Sequence, residues 1–218
     1  TCGGALLLRL EDIDPARCRP DFADGVIADL AWLGLRFDGA IRRQSAHFSD
    51  YAAALGDLGR RGLVYPCFCT RGRIRQEVAR REAGAGAWPR DPDGSPLYPG
   101  LCRAIPPAEA AARIAAGEPH ALRLAGDRAA AAAGAGLGYR RFDAAFAETR
   151  VAIRPARWGD AVLARRDTPT SYHLAVVVDD AIQRVSHVVR GRDLEAATDL
   201  HVLLQHLLGL PVPRYHFH

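Results

Sequence analysis

Two hydrophobic periods alternate along this chain of 218 residues. Residues 5 to 13, ALLLRLEDI, make an apolar run too continuous for an amphipathic strand and predict a fully buried one. Asp14-Pro15 then offers an N-cap followed by proline at the first helical position. Phe22, Val26, Ile27, Leu30 and Leu33 follow at helical spacing, and Gly34 supplies a stop. A second helix is predicted from about His47 to Arg61, with Tyr51, Leu55 and Leu58 on one face.

The character changes at Tyr65. From there to about Arg103 come paired cysteines, an Arg-rich helical stretch and the turn-rich segment WPRDPDGSPLYPGLCR. Residues 126 to 138, GDRAAAAAGAGLG, read as a flexible low-complexity surface loop. Regular signals resume with the alternating strand GDAVLARRD, a helix in TSYHLAVVVDD, a strand in RVSHVVRG and a last helix in LEAATDLHVLLQHLLGL. Strand and helix alternate at both ends with an irregular stretch between them, so the expected fold class is α/β, a sheet interrupted by an insertion. The expected division is 1–64 and 151–218 for the two parts of the sheet domain, and 65–150 for the insertion.

Ligands of an open parallel sheet sit beyond the carboxyl ends of its strands. Glu11 and Asp12 stand where the first predicted strand leaves the core, and Arg190 stands at the same end of VSHVV. A carboxylate and a guanidinium at neighbouring strand ends suit a zwitterion, one taking the ammonium and the other a carboxylate. The plainer alternative is that Asp14 caps a helix and Glu11 pairs with Arg9.

Composition narrows the classes. The hydrophobic fraction of 49% suffices for a sizeable core. No apolar run approaches the roughly 20 residues needed to span a bilayer, and no secretory signal opens the chain, so a cytoplasmic protein is expected. All 29 cations are arginine and the formal charge is +4, compatible with a polyanionic partner. Five cysteines, an odd number, argue against a disulfide framework and for reduced thiols or a metal.

Three segments carry a family resemblance: GGALLLRLEDIDPARCRPDFADGVIADLAWLGLRFDG, YPCFCTR and SYHLAVVVDDAIQRVSHVVRGRDL. They resemble glutamyl-tRNA synthetases, class I aminoacyl-tRNA synthetases with a Rossmann-type catalytic domain and an inserted acceptor-type subdomain. ARRDTPTSYHLAVVVDDA and RGRDLEAATDLHVLLQHLLGLPVPRYHFH are more similar to the truncated glutamyl-Q branch of that family. The resemblance implies activation of glutamate with ATP and Mg2+, then transfer to queuosine, the modified wobble base of tRNA(Asp), by a monomeric enzyme. It further implies that Glu11 binds the amino group of glutamate, Tyr172 contacts the amino acid and Arg190 holds its carboxylate. Taken alone, Tyr172 reads more readily as a helix tyrosine packed on the core than as a ligand contact.

Cys67-x-Cys69 with Tyr98-x-x-x-Cys102 gives three thiolates and a phenol. Tetrahedral zinc draws its ligands mainly from thiolate and imidazole, so a phenolate is an unusual fourth, and buried free cysteines are the competing reading. Here the resemblance implies a structural zinc site of Cys67, Cys69, Tyr98 and Cys102, because the glutamyl-Q branch has that pattern. Ala104 stands where zinc-bearing ordinary glutamyl enzymes tend to have histidine. Cys2 and Cys18 are expected to be spectators.

The HIGH-type and KMSKS-type motifs of class I enzymes are absent, so the chain is expected to be a piece truncated at both ends. Two rival functions stay open. One is the catalytic domain of an ordinary synthetase charging tRNA(Glu); the other is a non-catalytic, synthetase-derived RNA-binding module. For an RNA partner, Arg71, Arg73, Arg75, Arg80 and Arg81 are the candidate phosphate contacts, against the alternative of a solvated helix face.

Overall fold

The computed structural model describes residues 4–14 and 16–218. The first half contains β1 (Arg9–Leu10), α1 (Pro20–Trp32), β2 (Arg42–Arg43), α2 (Phe48–Arg60), β3 (Val64–Cys67), α3 (Arg71–Ala85) and α4 (Pro107–Ala115). The second contains β4 (Ala121–Leu124), α5 (Gly126–Ala133), β5 (Gly138–Phe142), β6 (Glu148–Ala152), β7 (Val162–Ala164), α6 (Tyr172–Ile182), β8 (His187–Arg190), α7 (Thr198–Leu207) and β9 (Arg214–Phe217).

The strands form three groups. β1 lies parallel to β2, and β3, β4 and β7 make an antiparallel sheet in that order. The third sheet runs β6-β5-β9-β8, with β5, β9 and β8 parallel and β6 antiparallel at its edge. Residues 65–150 are therefore stitched to the rest from both directions: β4 pairs with β7, and β5 pairs with β9.

Helices α2, α6 and α7 enclose the main core. Tyr51, Leu55 and Leu58 form the buried stripe that the spacing in α2 predicts. Residues Leu174 to Asp179 of α6 are all buried, as are Leu200, Leu203, Leu204 and Leu207 of α7. Each buried leucine contributes roughly 1.5–3 kcal/mol by leaving water. Helix α6 starts where its sequence predicts, because the Ser171 hydroxyl accepts the Leu174 amide at 3.3 Å as an N-cap.

Three expectations are corrected. The apolar run 5 to 13 yields only the two-residue strand β1, and Leu6 and Leu7 are 49% and 38% exposed. An apolar run states what can be buried but does not supply the neighbour that buries it. The first helix begins at Pro20, not after Asp14; Asp14 instead holds a turn, its carboxylate accepting the Ala16 amide and its carbonyl those of Arg17 and Cys18. Pro15 and Cys2 lie outside the described residues. Finally, the supposed loop at 126 to 138 contains α5, with Ala129 completely buried beside α7. Alanine is the strongest helix former, and its small side chain permits close packing. Gly126 starts that helix where a Cβ would meet the Gly159 carbonyl oxygen at 2.4 Å, so glycine is required by the approach of two backbones.

Candidate functional site

Arg190 ends β8 half-buried, held on two sides. Its Nη2 donates to Thr198 Oγ1 at 2.7 Å and its Nη1 to His201 Nδ1 at 3.1 Å. The guanidinium carbon lies 5.2 Å from the Tyr215 ring and 5.7 Å from that of Phe217. Its Nε is buried and has no hydrogen-bond partner among the described residues. A fixed, partly unspent guanidinium of this kind suits a carboxylate, which accepts two parallel N–H bonds.

Tyr172 opens α6. Burial pushes its phenol up; the Arg190 guanidinium opposes that rise and the Glu11 carboxylate reinforces it. Both charges thus act on the same hydroxyl. Glu11 follows β1 directly, remains 42% exposed at its side chain and accepts from Arg9 at 3.3 Å, the pairing the plainer reading expected. That bond is the weaker engagement of Arg9, whose Nη1 donates to Asp180 at 2.8 Å and Gln183 at 3.0 Å. Asp12 turns elsewhere, accepting the amide and hydroxyl of Ser45 at 2.9 and 2.7 Å.

A cleft of about 680 Å³ runs from Tyr172 and His173 past Asp93, Arg71 and Arg75 to Arg123 and Tyr98. Of the five candidate RNA contacts, Arg71 and Arg75 border this cleft and Arg73 is exposed on α3. Arg80 and Arg81 are committed to Glu77, at 2.8 and 2.7 Å. Arg81 also donates to the Pro99 carbonyl at 3.1 Å and lies over the Trp88 ring at 4.8 Å. Arg81 thereby ties α3 to the segment carrying Tyr98, while Arg80 stays within the helix.

The cleft's far wall adjoins a thiol cluster. The sulfurs of Cys67, Cys69 and Cys102 lie within 4.8 Å of one another, with Cys69 Sγ 3.5 Å from Cys102 Sγ and 3.4 Å from the Tyr98 hydroxyl. Burial opposes ionisation of Cys67, yet hydrogen bonds from Tyr98, the Cys69 backbone and Arg123 bring its thiol below its ordinary value. Burial pushes Cys69 up to about 11; Tyr98 moderates that rise and the neighbouring thiols add to it. Three converging sulfurs repel one another as thiolates, and a divalent soft cation reverses that cost. The donor set therefore fits a thiolate-binding metal. Cys18 lies apart from this cluster among the described residues.

Three polar assemblies escape the sequence reading. Asp179 accepts from Arg42, Gln44 and Tyr51 at 2.7, 2.8 and 2.9 Å inside the core. Its only signal was an acidic pair ending an apolar helix, VVVDD. Asp160, also buried, accepts from Arg103, Tyr65 and the Gly126 amide, which locks the cysteine-bearing segment onto α5. The third is a histidine pair, His173 and His201, described below.

The whole chain, residues 1–218, matches the family described as tRNA synthetases class I (E and Q), catalytic domain. A relative from Rhodobacter capsulatus named glutamyl-Q tRNA(Asp) synthetase is 47% identical over 99% of this chain and 75% of its own length. Relatives of the same name from Symbiobacterium thermophilum and Leptothrix cholodnii are each 40% identical over 98% of this chain, which spans 63% and 66% of them. Among solved structures, a glutamate tRNA ligase from Elizabethkingia meningosepticum in complex with its amino acid aligns with a TM-score of 0.74. That alignment has 23% identity and covers 99% of this chain and 42% of that one, a likeness of fold.

Proposed function

The chain belongs to the class I tRNA synthetase catalytic-domain family for E and Q, and from that premise we propose that its protein activates glutamate with ATP and transfers it to queuosine in tRNA(Asp). The observation that carries the reading is Arg190, a half-buried guanidinium fixed by Thr198 and His201 at 2.7 and 3.1 Å with its buried Nε unpartnered among the described residues. That arrangement answers to an amino acid with a second carboxylate, and the names of the relatives in the 40–47% range supply the acceptor.

In this reading Glu11 takes the ammonium, Tyr172 flanks the amino acid, and Arg190 holds one carboxylate. The other carboxylate attacks the α-phosphorus of ATP, whose phosphates Mg2+ neutralises, and pyrophosphate leaves. A queuosine hydroxyl then attacks the adenylate carbonyl and AMP leaves. Both steps depend mainly on holding the reactants together and excluding water. Arg71 and Arg75 border the cleft where an anticodon loop would enter, and their contact with its phosphates weakens as salt rises.

Cys67, Cys69, Tyr98 and Cys102 would hold a zinc ion. It would supply no chemistry to the reaction; it would tie the end of β3 to the segment carrying Tyr98 and Cys102, within residues 65–150 read as an inserted subdomain beside the cleft. Among the described residues no helix is long and apolar enough to cross a membrane. The same reading takes the protein to work in the cytoplasm as a monomer.

Glutamate-dependent exchange of pyrophosphate into ATP by the full-length protein, without tRNA, tests the pocket. Arg190→Ala removes a charge-assisted pair worth about 2–4 kcal/mol, so the glutamate KM rises at least about thirtyfold while that for ATP holds. Unchanged glutamate activation in Arg190→Ala contradicts the assignment.

A further inference from the structure

His201 is buried within α7, and both its ring nitrogens are engaged. Nδ1 faces Arg190 Nη1 at 3.1 Å, and Nε2 faces His173 Nδ1 at 3.1 Å. An arginine only donates, so His201 Nδ1 must be the bare acceptor. The His201 proton then sits on Nε2 and is donated to His173 Nδ1, which must also be bare. This leaves the proton of His173 on its own Nε2, which has no hydrogen-bond partner among the described residues, and His173 itself borders the cleft. The chain of donors thus has one direction, set by a cation that cannot reverse it.

We propose that His201 is a positioning residue for Arg190 and that, through the same chain, it presents His173 Nε2–H to the cleft as a neutral donor to an oxygen of the bound dicarboxylic amino acid. This rests on the reading of Arg190 as the carboxylate anchor. The neighbourhood fits that role. The Trp158 ring packs edge-on against His173 at 5.3 Å, and the Tyr172 ring flanks both imidazoles, 5.5 Å from His173 and 5.6 Å from His201. Burial, together with the nearby guanidinium, keeps both rings neutral, while Asp93 is the anion whose field reaches His173. A neutral donor binds a carboxylate oxygen without adding a second full charge, and its fixed tautomer means that no proton must move before substrate binds.

The test has two independent arms. Nitrogen-detected imidazole NMR of the whole chain at neutral pH is expected to show His173 and His201 both neutral and both protonated on Nε2. An Nδ1–H tautomer or an imidazolium at either ring overturns the proposal, whether or not the protein activates glutamate. In pyrophosphate exchange by the full-length protein, His201→Leu is expected to raise the glutamate KM at least tenfold and leave the ATP KM within twofold. His201→Gln, which keeps an acceptor and a donor, restores the glutamate KM to within about threefold of wild type. An unchanged glutamate KM in His201→Leu, equal losses for both substrates, or failure of glutamine to rescue overturns it. Thermal unfolding of both variants identifies any that do not fold, and His173→Gln then replaces them with the same expected split. A wild-type protein that spares the NMR signature but activates no glutamate sinks the functional reading instead.

Discussion

Arg42 donates from Nε to an Asp179 carboxylate oxygen at 2.7 Å, joining β2 to α6 across 137 residues of sequence. The second acceptor oxygen of Asp179 takes Gln44 Nε2 and the Tyr51 hydroxyl, so a completely buried carboxylate is satisfied by three partners. Removing it leaves the Arg42 guanidinium with Asp50 alone, at 2.7 Å, and leaves the buried Gln44 amide and Tyr51 hydroxyl without their acceptor. Asp179→Ala is expected to lower the unfolding free energy by about 3–5 kcal/mol, read from urea titration, whereas Asp179→Asn, which keeps the shape, costs less. A loss below about 1 kcal/mol in Asp179→Ala contradicts this account of the core.

The thiol cluster predicts metal content. Protein purified without chelator should contain about one zinc per chain, and Cys102→Ser should lower that content sharply. Chelation should loosen the segment carrying Tyr98, read as faster proteolysis between α3 and α4, with the α2–α6–α7 core unaffected. Absence of zinc from the wild-type protein contradicts the site.

Acidification should expose the histidine pair. Burial holds His173 down to about 4, below the ordinary value near 6.5 of an unfolded chain. Between those limits the unfolded chain takes up protons that the folded one refuses, so stability falls as pH drops from about 6.5 to 4. The full contribution is of the order of 3 kcal/mol. Asp180 and Asp199, pushed up by burial, act in the opposite sense. His201, also held down by burial, acts in the same sense as His173, so the His173 contribution is the difference between wild type and His173→Gln in urea unfolding at pH 7, 6 and 5. Parallel pH profiles for the two proteins contradict it.

Legibility in the sequence followed the range of the interaction. Helices α2 and α6 were readable because their signals are local: a stripe through Tyr51, Leu55 and Leu58, and the apolar stretch within TSYHLAVVVDD. The strand expected over 5 to 13 shrank to Arg9–Leu10 because pairing needs a partner, and β2 offers two residues. Low complexity misled at α5, where an alanine run packs as a helix. The site shows the same division. Spacing made the cysteines candidates and the family resemblance completed the set Cys67, Cys69, Tyr98 and Cys102, whose side chains the structure brings together. His201 was not, because its role depends on a neighbour 28 residues away on α6 and on a guanidinium at the end of β8.

The acceptor is the central claim, and one measurement addresses it directly. Full-length protein is given labelled glutamate and ATP with three RNAs: tRNA(Asp) carrying queuosine, tRNA(Asp) lacking it, and tRNA(Glu). The expected result is label on the first alone. Label on tRNA(Glu) alone would contradict the glutamyl-Q reading and point to an ordinary synthetase, and label on none of the three would leave the RNA-binding module as the better description.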